Sequence, residues 1–146
     1  MRALTAPIVA ILLSATMLSG CSAYGDYCDE VENAQPELLD FGAKSTKAFT
    51  RYSELTQKIA AVAPEDVAKY WKEISVATGA VADAQRAAHI DLSDMGDSAK
   101  VGSLTRKQIK DLNQAYLDFN DTQQARKVVV ADVVERCNID LAKEKK

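Results

Sequence analysis

Ala63-Pro64-Glu65-Asp66-Val67-Ala68-Lys69-Tyr70-Trp71-Lys72-Glu73-Ile74, running on to Ala88, reads as one long helix. Proline stands at the first helical position, where its missing N–H is no loss. Glu65 and Asp66 follow near the positive end of the helix dipole. Val67, Tyr70, Trp71, Ile74, Thr78 and Val81 then share an apolar face at helical spacing. No alternating pattern long enough for a strand appears on either side.

Upstream, a second helix is expected over about Ser45–Val62, with Phe49, Tyr52, Leu55 and Ile59 on one face. A first helix is expected over about Tyr27–Phe41, carrying Cys28, Val31 and Leu38. Pro36 either kinks it or restarts it, and Gly42 marks a break. Downstream, Asp91 to Gly102 reads as the longest irregular stretch. Thr105 then caps a helix whose stripe is Ile109, Leu112, Tyr116 and Phe119. Asn120-Asp121-Thr122 interrupts it and recaps a final helix bearing Val130, Val133, Val134, Cys137 and Leu141. The expected fold is all-α: a single bundle of four to five helices closed by one disulfide, after a cleaved N-terminal signal peptide.

The first 21 residues predict where the chain resides. Arg2 supplies a positive start, and Ala3 to Leu18 an apolar run that contains Pro7. That run is shorter than the roughly 20 residues that span a bilayer. It ends in Leu18-Ser19-Gly20-Cys21, the pattern of a lipobox. Cys21 is the expected lipidation site, and a two-chain lipid there holds a protein stably on a membrane. An uncleaved anchor helix and ordinary signal cleavage are the alternatives. The expected organisation is a signal peptide over 1–20, a lipidated tether over 21–26, a helical domain over 27–142 and a lysine-rich tail over 143–146.

The chain has 146 residues and a formal charge of -3. Removing the first 20 leaves 126, enough for one domain with a real core. Loss of Arg2 takes the charge to -4, which argues against nucleic-acid binding by bulk charge. Six glycines and three prolines leave room for few long loops. Two cysteines remain beside Cys21. Cys28 and Cys137 fall on apolar faces of the first and last helices, and export would let them bond. Two buried free thiols are the other reading. A zinc site is not expected, since its ligands would be closely spaced.

Catalytic chemistry has no positive support. His89, the single histidine, has no partner at metal-ligand spacing. Asp91, Asp94 and Asp97 do not follow the EF-hand pattern and read as a solvated acidic turn. Asp118 to Thr122 matches an extended acceptor pattern of some bacterial N-glycosylation systems. Tyr70 and Trp71 either line a ligand groove or belong to the core. No cofactor and no metal is expected.

Tyr27-Cys28-Asp29, Ala63-Pro64-Glu65-Asp66 with Trp71, Leu104-Thr105 and Cys137 follow the lipobox in an order that resembles small secreted lipoproteins of actinobacteria. The resemblance covers most of the mature chain, although many of those proteins stop soon after the last cysteine and this one adds Lys143 to Lys146. It implies an exported helical domain lipid-anchored at the outer face of the cell membrane, and it implies no activity. The expected function is therefore a non-enzymatic, membrane-anchored envelope lipoprotein that binds a protein or cell-wall component. A small-molecule binder with a cleft at Trp71 is the alternative. An immunity or inhibitor protein against an envelope-targeting toxin or hydrolase is another. The tail Lys143, Lys145 and Lys146 either faces lipid headgroups or is a solvated terminus.

Overall fold

The structure is a computed structural model that describes residues 24–39 and 45–141. The expected lipobox, the break at Gly42 and the lysine tail lie outside the described residues. In order, the elements are α1 (Gly25–Leu39), α2 (Thr46–Val62), α3 (Glu65–Ala88), a 3-10 turn (Leu92–Gly96), α4 (Ser98–Gly102), α5 (Arg106–Asp121) and α6 (Gln123–Cys137). No strand occurs among the described residues. The fold is an all-α bundle of five long helices, closed by a Cys28–Cys137 disulfide.

The long helix begins one residue after Pro64 and ends at His89, which takes a left-handed backbone at φ 52°. Its 24 residues run about 36 Å at 1.5 Å per residue. That length lets one helix serve two cores. Near its start, Val67, Trp71 and Ile74 pack with Tyr27, Val31 and Ala34 of α1, Leu55 and Ile59 of α2, and Ala125, Val129 and Val133 of α6. Near its end, Val81 and Ala82 pack with Phe49 and Ala115. Ala88 then meets Ile90 and Leu112.

The α2–α3 pair approaches closely because small residues meet there. Ser53 Oγ donates to the Ser75 carbonyl at 2.8 Å, and Ser75 Oγ donates to the Ser53 carbonyl at 2.9 Å. Gly79 completes the contact, since a Cβ there would stand 3.0 Å from Ser53 Oγ.

Several local expectations change. α1 runs through Pro36 to Leu39, so the helix does not restart at the proline. The stretch after Asp91 is not irregular: it holds a 3-10 turn and a single turn of α-helix, because Asp91 and Asp97 cap them in succession. On α5, Ile109 is 39 % exposed and Ala115 is buried instead. On α6 the buried face is Ala125, Val129 and Val133, while Val134 is 45 % exposed. The bond through Cys137 and the seat against α1 and α3 turn this helix, and its valines supply apolar groups on either side. The break between α5 and α6 sits at Thr122 as the sequence suggests, with Thr122 Oγ1 donating back to the Phe119 carbonyl at 2.7 Å.

Tyr52 packs against the larger core, and burial pushes its phenol up to about 12, with Arg126 opposing. The unfolded chain ionises tyrosine near 10. A raised folded-state pKa adds stability that is intact below the unfolded value and is lost as pH rises through the folded one. Stability is therefore expected to fall between about pH 10 and 12, by about 2–3 kcal/mol from this residue. Urea titrations at pH 9 and above should show the loss, and Tyr52→Phe should remove most of it. A pH profile unchanged by that substitution would count against the burial argument.

Candidate functional site

The best-connected polar cluster ties α1 to α3 and α6. Trp71 Nε1 donates to Tyr27 Oη at 3.1 Å, and Tyr27 Oη donates to Asp132 Oδ2 at 2.9 Å. Arg136 Nε donates to Asp132 Oδ1 at 2.6 Å, and the same guanidinium reaches Asp66. It also lies 4.7 Å from the centre of the Tyr24 ring. Burial holds the Tyr27 phenol well above its ordinary pKa, and the bond to Asp132 adds to that. For Arg136, burial opposes the charge, but the carboxylates of Asp132 and Asp66 outweigh it. A phenol this weakly acidic exchanges no proton near neutral pH. The cluster is a link between helices, and the disulfide beside it is a second one.

The acidic stretch after α3 is spent on backbone capping. Asp91 Oδ1 accepts from both Thr46 N and Thr46 Oγ1 at 2.7 Å. Asp94 Oδ2 accepts from Asp91 N at 3.1 Å, while its other oxygen binds Lys100 Nζ at 2.6 Å. That lysine holds the Asp94 carboxyl below its ordinary range. Asp97 caps α4 through Ala99 N and Lys100 N. No three potential metal ligands converge among the described residues. His89 is exposed at the end of α3. Asp118 to Asp121 of the matched glycosylation pattern form the last turn of α5, with Asn120 exposed and Thr122 buried.

Trp71 is 1 % exposed and belongs to the core, so it forms no groove wall. Tyr70 is half-buried with Lys69 Nζ 4.9 Å above its ring. The feature that sequence reasoning missed lies on the opposite side of the same helix. Val76 is 64 % exposed, the most of any large apolar side chain among the described residues. It sits between two shallow grooves. One is bounded by Lys69, Lys72, Glu73, Ala80 and Asp118, the other by Gln57, Ala60 and Ala61 of α2. A signal was available: Val76 stands two residues beyond Ile74, off the apolar stripe, with Lys72 and Glu73 one turn before it.

No protein-family model, no curated protein and no solved structure matches the chain.

Proposed function

We propose that this chain is a lipid-anchored protein of the outer face of the cell membrane, that it catalyses nothing, and that it binds another protein through the outer face of α3. The observation that carries the binding reading is Val76, an apolar centre ringed by Lys69, Lys72, Glu73 and Asp118. Apolar centres with polar rims are the usual anatomy of protein interfaces. Anchoring is supported by Leu18-Ser19-Gly20-Cys21 after an apolar run, and export by the Cys28–Cys137 bond, which is typical of oxidising compartments. No described helix is long and apolar enough to cross a membrane; the attachment proposed is the lipid at Cys21. A mixed-charge helical face suits a protein better than a sugar polymer, and the small-molecule reading loses its main residue with Trp71 in the core.

A photo-crosslinking amino acid at position 76, in cells, should give a discrete adduct. The same group at position 107, exposed on α5, should not. Equal or absent adducts at both positions would overturn the binding reading. In parallel, Cys21→Ala should abolish labelling by radioactive fatty acid, and unchanged labelling would overturn the anchor.

A further inference from the structure

The outer face of α3 carries a charge pattern that complements itself. Lys69 and Asp83 stand seven residues to either side of Val76, and Lys72 and Ala80 four to either side. Seven residues make two turns less about 20°, so Lys69, Val76 and Asp83 lie along one line about 21 Å long. Lys69, Lys72, Val76 and Asp83 are all exposed. Asp83 is bound by Arg86 at 2.6 Å, yet its side chain remains 76 % exposed. Lys69 is held by the face of Tyr70, a contact that contributes little at a surface and is easily exchanged.

We infer that a second copy of this chain covers the face, its α3 antiparallel to the first, with the two Val76 side chains meeting on the two-fold axis. The inference rests on reading this face as a protein-binding surface, and it names the occupant. In the antiparallel arrangement Lys69 and Lys72 of each copy bracket Asp83 of the other. The stem of Lys72 lies over Ala80, whose small side chain lets the helices approach. No like charges are brought face to face. A parallel pair would set Lys69 against Lys69 and Asp83 against Asp83, so the pattern selects one orientation. The face of a single helix is small for an interface, so the pair is weak in dilute solution. Confinement on one membrane raises the effective concentration of copies. Tyr27 near the start of α1 bonds Trp71 near the start of α3, so the two-fold sets the starts of α1 in the two copies at opposite ends of the pair.

The test uses the full chain in its own membrane with Val76→Cys. Mild oxidation should give a species of twice the mass, and mass spectrometry should find a disulfide joining position 76 of one copy to position 76 of the other. Lys107→Cys, as control, should give no such dimer. In the Val76→Cys background, Lys69→Glu alone and Asp83→Lys alone should each cut the yield about tenfold, and the double exchange should restore it, about 1.4 kcal/mol per tenfold change. Circular dichroism of each variant checks that the helices are intact. Absence of the crosslink between the two copies, indifference to the single exchanges, or no recovery in the double would each overturn the inference. If the photo-crosslinker at position 76 captures a different protein while the two copies form no disulfide there, the second copy is ruled out and the binding surface stands.

Discussion

Reducing the Cys28–Cys137 bond is expected to lower the stability of this domain by about 2–5 kcal/mol. The bond spans 109 positions of sequence, and a chain-entropy estimate for a loop near that length is about 4.7 kcal/mol. Its loss falls unevenly on the fold. α1 contributes Tyr27, Val31 and Ala34 to the core and touches α2 and α6. Its other ties are the hydrogen bonds of Tyr27 with Asp132 and with Trp71, and the Glu37–Arg51 pair. That pair is exposed, and such pairs contribute little. α2 and α3 pack on each other along their lengths and do not depend on the bond. Urea unfolding with and without a dithiol should show the lower midpoint, and Cys28→Ala with Cys137→Ala should reproduce it. Hydrogen exchange should quicken first in α1 while the middle of α3 stays protected. A midpoint indifferent to the dithiol would refute the estimate. A uniform loss of protection would refute the local account.

The long helix was legible because three independent signals agree on it: Pro64 at the start, Glu65 and Asp66 in the first turn, and a stripe from Val67 to Val81. The start of α5 was legible for a similar reason. Thr105 accepts from Gln108 N while the Gln108 side chain accepts from Thr105 N, a capping box written in four residues. The facing of α6 was not legible. Val128 to Val130 and Val133 to Val134 put apolar groups around much of the helix, and periodicity cannot choose among them. Packing chooses, through Asp132 held by Tyr27 and Cys137 held by Cys28. Those partners lie more than a hundred residues apart, and nothing local announces them. The same limit hid the role of Tyr27, which precedes the expected stripe residue Cys28 by one position and proves to be the hub of the cluster. The capping aspartates were visible as an acidic run, but their targets, Thr46 above all, are tertiary.

Trp71→Ala should be among the most damaging single changes, costing about 3–5 kcal/mol. The indole is enclosed by side chains from α1, α2, α3 and α6, so its removal opens a cavity where four helices meet. Truncation also leaves the Tyr27 oxygen without its donor, though Tyr27 keeps Asp132. Trp71→Phe retains much of the volume and should cost less, about 1–3 kcal/mol, mostly for the lost hydrogen bond and a smaller ring. Tyr27→Phe should cost a similar amount, because it leaves a buried indole N–H unpaired and takes one partner from Asp132. The two phenylalanine changes together should then cost less than the sum of each alone, since neither orphaned group remains. Chemical denaturation of the four proteins in the cycle measures that difference. Strict additivity would mean that the Trp71–Tyr27 bond contributes nothing beyond packing. Trp71 is the single tryptophan of the chain, so its fluorescence reports this one site. The emission should be blue-shifted and poorly quenched by iodide in the folded protein. Ready quenching would place the indole at a surface and reopen the ligand-groove reading that its burial closes.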